Sequence, residues 1–191
     1  PNKALQGGGP LIDIGTHALD ITLWMMDNYE PRMVVGTSYK KLPNPDCGNC
    51  WGKWDPEKHT VEDSAFGFIV MENGATIILE SSWAINLVDT REAITTLAGT
   101  KGGADMLNGI RINGVRNGRQ YIDQVNLNAG GVAFFNGNAN EVDGEREARL
   151  WINAIINDTE PFVKPEQAFV VTQILEGIYE SAKTGKPYYF N

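Results

Sequence analysis

The chain has 191 residues, 42% of them hydrophobic and 21% charged, which is enough apolar content for one compact domain with a sizeable core. Its formal net charge of −8 argues against nucleic acid or an anionic membrane as a partner, because both attract basic patches. No apolar run approaches the ~20 residues of a membrane-spanning helix, and no signal peptide is visible, so a cytoplasmic location is the default expectation.

In chain order, the first informative stretch is residues 7–24, where Gly7-Gly8-Gly9-Pro10 leads into a predicted helix ending near Asp27-Asn28. Asp13, His17, Asp20 and Trp24 stand at offsets that return to one face at about 100° per residue. His17, one of two histidines, is thereby expected between two carboxylates. Its imidazole, with an ordinary pKa of about 6.5, can take or give a proton near neutral pH. Asp13 or Asp20 could fix its tautomer and stabilise the imidazolium. Gly7 to Gly9 and Gly15 would let the backbone approach a substrate closely. The plainer reading of the same residues is that Asp13 caps the helix, His17 is a surface histidine and Asp20 is solvated.

Met33 to Lys41 reads as a strand. The following segment, with Pro43, Pro45 and Pro56, reads as a long loop. Within it Cys47 and Cys50 form a Cys-x-x-Cys pair, but zinc would need two more ligands and only His59 and scattered carboxylates lie nearby. The pair is read as incidental, and no residue is assigned to a metal. Trp51 and Trp54 in the same loop could cover a sugar-like substrate or pack against a partner subunit.

Ala65 to Met71 and Ala75 to Trp83 are predicted strands joined through Asn73-Gly74, and Ile110 to Arg116 and Arg119 to Leu127 form a second hairpin about Asn117-Gly118. Arg91 to Ala98 and Gly102 to Leu107 add shorter strands. Ala129 to Asn140 reads as a loop. Two helices follow. One spans about Asp143 to Asn157, with Leu150, Ala154 and Ile155 inward and Glu145 spaced to pair with Arg149. The other runs from Pro165 to Thr184 and is stopped by Gly185 and Pro187. Successive hairpins exclude a doubly wound parallel sheet. The expected fold is α+β, a large, mostly antiparallel sheet of about six or more strands with helices on one face, forming a single domain over residues 1–191.

Three helices cover only one face of such a sheet, yet Ala65 to Met71 is apolar on both. A second subunit is the natural cover, with Phe66 or its neighbours Gly67 and Ile69 under it. Loop residues such as Trp51 and Trp54 folding over the face are the other possibility.

The motif Gly-Gly-Gly-x-Leu-x-Asp-x-Gly-x-His-x-x-Asp-x-x-x-Trp resembles the signature of the Gfo/Idh/MocA oxidoreductases. The likeness continues in Val61-Glu62-Asp63-Ser64-Ala65, Glu72-Asn73-Gly74-Ala75, Ser81-Ser82-Trp83, Gly99-Thr100-Lys101-Gly102-Gly103 and the ending Ile178 to Lys186. It implies that Asp13 and His17 complete a catalytic set with a lysine. It also implies an N-terminal dinucleotide-binding domain whose Glu-Lys-Pro motif supplies that lysine. Neither Glu-Lys-Pro nor a strand-bounded Gly-x-Gly-x-x-Gly occurs here. The chain therefore resembles the C-terminal, substrate-binding and oligomerisation half, inactive by itself, with no cofactor-binding residue of its own.

The implied activity moves a hydride between NAD or NADP and a sugar, polyol or related hydroxy compound. His17 would handle the hydroxyl proton, Asp13 would orient it, and Thr16, Asp20, Trp83 and Asn86 would contact substrate. These four also have plain readings: helix capping, solvation, core packing and a turn. The implied partners are the small-molecule substrate, the dinucleotide-binding domain and further copies of the chain in a homodimer or tetramer. The competing functions are a non-catalytic sugar-binding or oligomerisation module, and an NAD-dependent glycosidase of the same family.

Overall fold

The computed structural model describes residues 1–42, 55–88, 93–107, 109–125 and 142–190. Cys47, Cys50, Trp51, Trp54, Arg91 and the Ala129 to Asn140 segment lie outside the described residues. In chain order the elements are α1 (Lys3–Gln6), a π-helical turn at Leu11–Gly15, α2 (Thr16–Met26), β1 (Pro31–Tyr39), β2 (Ser64–Met71) and β3 (Thr76–Ser82). They continue with β4 (Thr96–Ala98), β5 (Gly102–Asp105), β6 (Ile110–Arg116), β7 (Arg119–Val125), α3 (Asp143–Asn157), α4 (Pro165–Thr184) and β8 (Tyr188–Tyr189). They fall into two compact units, Pro1–Ala93 with Glu166–Asn191, and Ile94–Pro165.

The α+β class and the antiparallel pairing are as expected. The strands, however, divide into two four-stranded sheets, ordered β3-β2-β1-β8 and β4-β5-β6-β7, each smaller than one sheet of six or more. Hairpin chemistry sets the local pairings but does not say which hairpins join.

In the first unit, β3 alternates: Ile77, Leu79 and Ser81 are buried while Thr76, Ile78 and Glu80 are exposed. That is the two-residue period of a strand with one covered face. β2 buries Ala65, Gly67, Ile69 and Met71 on the same side. Leu11, Leu19 and Leu23 near and on α2, and Val171, Ile174, Leu175 and Ile178 on α4, complete one core with those strands. The covering is so close that a Cβ on Gly36 would collide with the backbone carbonyl of Ile178, and one on Gly67 would lie 2.6 Å from Ile178 Cδ1. Glycine pairs with glycine across the two strands, Gly36 opposite Gly67, and makes the niche that Ile178 fills. Ser181 completes the seam, its hydroxyl accepting from Gly36 N–H (2.9 Å) and donating to the Lys186 carbonyl (2.7 Å).

Phe66, Phe68 and Val70 point to the opposite side of β2. Val35, Phe68 and Ile78 stand in register across three strands and are 39%, 46% and 71% exposed. Of the residues expected beneath an assembly surface, Phe66 thus belongs to the open face, whereas Gly67 and Ile69 belong to the covered one.

The second unit is a meander. Asn117 and Gly118, at φ 53° and 72°, form its tight two-residue turn between the Arg116–Arg119 pair. Across β5 and β6, Asp105 and Arg111 are direct partners whose side chains join in a two-pronged ion pair (2.8 and 2.6 Å). On α3, Ala154 is buried and Leu150 half-buried, but Ile155 is 63% exposed, against expectation. Five residues past Leu150, Ile155 stands about 140° around the helix and cannot share its face.

Candidate active site

The glycine loop is seated by a side chain 53 residues further on. Glu62 Oε1 accepts from Gly9 N–H (2.9 Å), from Leu11 N–H (3.3 Å) and from the Tyr179 hydroxyl (2.7 Å). Gly8, Gly9 and Pro10 are buried. A Cβ on Gly9 would strike the Glu62 carbonyl, and one on Gly8 would strike the Tyr179 hydroxyl. Those two glycines admit protein atoms, so the expectation that they open the backbone to a substrate is corrected. A carboxylate already holds the N–H groups that a phosphate would need.

Burial first, and then the hydrogen bond and charge of Glu62, push the Tyr179 phenol well above its ordinary value of 10.0. As pH rises past 10.0, the unfolded state loses this proton before the folded state does, so stability is full below that pH and declines above it. Tyr179→Phe is expected to flatten that alkaline decline in urea midpoints. An unchanged slope would mean that another group carries it.

From this seat the chain makes the π-helical turn Leu11–Gly15 and then α2. Such turns interrupt α-helical hydrogen bonding and are frequent at functional sites. Asp13 lies inside the turn, so the assumption of one continuous α-helix from Asp13 to Trp24 is corrected. His17, Asp20 and Trp24 share the α2 helix, and Asp13 is set by the turn. The Thr16 hydroxyl donates to the Ile12 carbonyl (2.6 Å), and Ser81 Oγ donates to the Pro10 carbonyl (2.6 Å). Together they tie the turn to α2 on one side and to β3 on the other.

The Asp13 carboxylate is exposed, and its Oδ2 accepts the indole N–H of Trp83 at 2.8 Å. This contact joins two of the expected site residues across 70 positions of sequence. His17 is exposed on the first turn of α2, within reach of an incoming molecule. Asp20 is half-buried, and its negative charge, after burial itself, helps raise the Tyr29 phenol above its ordinary value. Asn86 is exposed in the segment after Trp83. An exposed imidazole can exchange a proton with a bound hydroxyl.

Three residues of this region escaped the sequence reading as site elements. Glu62 was legible only as part of a motif, Tyr179 only as part of the C-terminal likeness, and His59 only as a distant metal ligand. His59 is in fact fully buried, with its ring 6.3 Å from that of Trp83 at 87°. Nearby, Asp63 is also fully buried and accepts from the N–H groups of Lys41 and Leu42 (2.7 Å to Leu42) and from Ser64 Oγ (3.1 Å), which closes the end of β1 onto β2. Among the described residues no group of three His, Cys, Asp or Glu is placed to hold a metal ion. The second unit has a shallow depression around Gly99–Gly103, Asn113 and Gln120, whose lining includes neither histidine nor carboxylate and so offers no comparable proton chemistry.

Residues 2–190 match the family model described as "Oxidoreductase family, C-terminal alpha/beta domain" of the Gfo/Idh/MocA group. The chain is 32% identical over 185 residues to D-glucoside 3-dehydrogenase of Escherichia coli (strain K12), an alignment covering 96% of this chain and 49% of that protein. Its fold is similar to aldose-aldose oxidoreductase from Caulobacter crescentus complexed with glycerol (TM-score 0.70, 21% identity, 99% of this chain and 50% of that one). It is also similar to an oxidoreductase from Agrobacterium radiobacter in complex with NAD+, L-tartaric acid and magnesium (TM-score 0.63, 18% identity, 94% and 48%). The chain thus spans about half the length of these relatives.

Proposed function

Because the chain belongs to the Gfo/Idh/MocA oxidoreductases through their C-terminal alpha/beta domain, we propose that it is the substrate-binding and catalytic half of an NAD(P)-dependent dehydrogenase acting on a sugar, polyol or related hydroxy compound. The carrying observation is the exposed pair of His17 on α2 and Asp13 in the π-helical turn, with Asp13 held by Trp83. A bound nicotinamide would supply the acceptor for a hydride leaving the carbinol carbon with its electron pair. As that C–H bond breaks and the carbonyl forms, His17 takes the hydroxyl proton, and it returns the proton in the reverse direction. Asp13 steadies the imidazolium and accepts from a substrate hydroxyl. Thr16, Asp20 and Asn86 are the proposed substrate contacts, and Trp83, whose indole N–H is engaged by Asp13, is proposed to act through that carboxylate instead.

The loop does not suit a dinucleotide pyrophosphate, since Glu62 already occupies its N–H groups at Gly9 and Leu11. Residues outside this sequence are therefore proposed to hold the dinucleotide, and residues 1–191 to be inactive alone as one substrate-binding and assembly domain. The 32% identity to D-glucoside 3-dehydrogenase makes D-glucosides the first compounds to try. The test is turnover by the full-length protein on glucosides, sugars and polyols, followed by nicotinamide absorbance. One nicotinamide reduced per ketone formed is the expected result. Glycosidic cleavage without net reduction would replace the reading with the glycosidase, and sugar binding without turnover would replace it with a binding module.

The open face of the first sheet is proposed to bury itself against a second copy. The row Val35, Phe68 and Ile78 is apolar and exposed in register, and such surfaces are a liability on a lone protein. An isologous pair, alone or within a tetramer, removes it. Light scattering on the full-length protein at low micromolar concentration is expected to give a dimer or tetramer. Phe68→Lys with Ile78→Lys should dissociate it, and a parent protein that is already monomeric would refute the assembly. Among the described residues no helix is long and apolar enough to cross a membrane. A cytoplasmic location is part of the same proposal.

A further inference from the structure

Asp13 is an exposed carboxylate in a short turn, and a side chain so placed turns freely unless something holds it. One of its oxygens is held by Trp83 Nε1 at 2.8 Å. An indole carries a single donor that moves only with the ring, so fixing the ring fixes the donor. The Trp83 backbone is pinned, its N–H donating to the Asp63 carbonyl at 3.2 Å. The ring itself is half-buried and meets the His59 imidazole at 87° and 6.3 Å, the edge-to-face arrangement that aromatic rings favour.

His59 has no exposure, and the residue after it is tied through both its backbone N–H and its side-chain hydroxyl. Thr60 N–H donates to the Pro1 carbonyl (3.1 Å), and Thr60 Oγ1 accepts from Lys3 N–H (2.8 Å). Burial, with the positive charge of Lys40, holds the imidazole below its ordinary value against the opposing charge of Asp63. A buried ring thereby meets a half-buried ring whose one donor reaches an exposed carboxylate.

We infer that His59 and Trp83 are positioning residues, a two-ring brace in which His59 seats the Trp83 indole and the indole N–H holds Asp13 in one orientation. Its catalytic consequence rests on the proposed role of Asp13 as partner of His17 and the substrate. Trp83→Phe keeps a ring of similar shape and removes the donor. In the full-length enzyme it should lower kcat about tenfold with KM little changed, below the ~10²-fold that a displacement of about 1 Å can cost. The effect should vanish in an Asp13→Ala background, where no acceptor is left for the indole, because two residues acting through one carboxylate are not additive. His59→Gln should lower kcat in the same sense, and His59→Phe, which keeps an aromatic edge, should recover most of that loss.

A second readout needs no turnover. In full-length protein carrying ¹⁵N-indole tryptophan, the Trp83 N–H resonance, identified by its loss in Trp83→Phe, should move in Asp13→Ala and in His59→Gln. The brace is overturned if that resonance stays in place in Asp13→Ala. It is equally overturned if Trp83→Phe raises KM with kcat unchanged, or slows the Asp13→Ala enzyme by the same factor as the parent. A protein without dehydrogenase activity would refute the proposed function, and the resonance would still decide the brace.

Discussion

His17→Ala in the full-length protein is expected to lower kcat by about 10²–10⁴-fold, the usual worth of a positioned general acid–base group, while leaving the melting temperature near that of the parent. The separation of the two effects follows from where the residue sits. His17 is exposed on α2 and lies outside the buried cluster that joins α2 to the sheet. Exposed substitutions away from such features usually change stability by within about 0.5 kcal/mol, and alanine is the better helix former. Asp13→Asn should also slow turnover, since it removes the charge that would stabilise the imidazolium. Its amide oxygen can still accept from Trp83, so the fold should hold. Near-normal turnover in His17→Ala would return His17 to a plain surface histidine. Unfolding in Asp13→Asn would show that the carboxylate serves the turn instead of the reaction.

The largest stability effect is expected at Ile178. Its side chain is fully buried in the niche between Gly36 and Gly67, and truncating such a residue to alanine costs about 2–5 kcal/mol, against a total near 5–15 for an ordinary domain. Ile178→Ala should therefore shift the urea midpoint strongly. The two glycines distinguish packing against backbone from packing against side chain. A methyl group at position 67 meets Ile178 Cδ1 at 2.6 Å, so Ile178→Ala removes the obstacle, and the double variant with Gly67→Ala should be more stable than the sum of the single losses predicts. At position 36 the nearest atom is the Ile178 backbone carbonyl, which the truncation leaves in place, so Gly36→Ala should find no relief. Relief at both positions, or at neither, would mean that α4 shifts as a body and that this seam does not set the helix.

The sequence by itself determined what depends on near neighbours. Asn117-Gly118 dictates a tight hairpin because both residues tolerate positive φ, and the observed pair does so. The bounds of α3 and α4 were likewise legible, with Gly185 at φ 67° ending α4. The two-sided apolar character of β2 was visible as a run without polar alternation, and the motif around Asp13 and His17 was enough to point to the family. Tertiary structure alone decided which hairpins share a sheet, because the energy of pairing β1 with β2 is the same kind of energy that could have joined either to β4. It also decided that Gly8 and Gly9 face Glu62 and Tyr179, that a π-helical turn sets the direction of Asp13, and that Trp83 reaches Asp13 across 70 residues. Turn and helix preferences are properties of a few adjacent residues. A carboxylate finding an indole, or a loop finding its seat, depends on distances that exist only after the core has brought α2, β3 and α4 together.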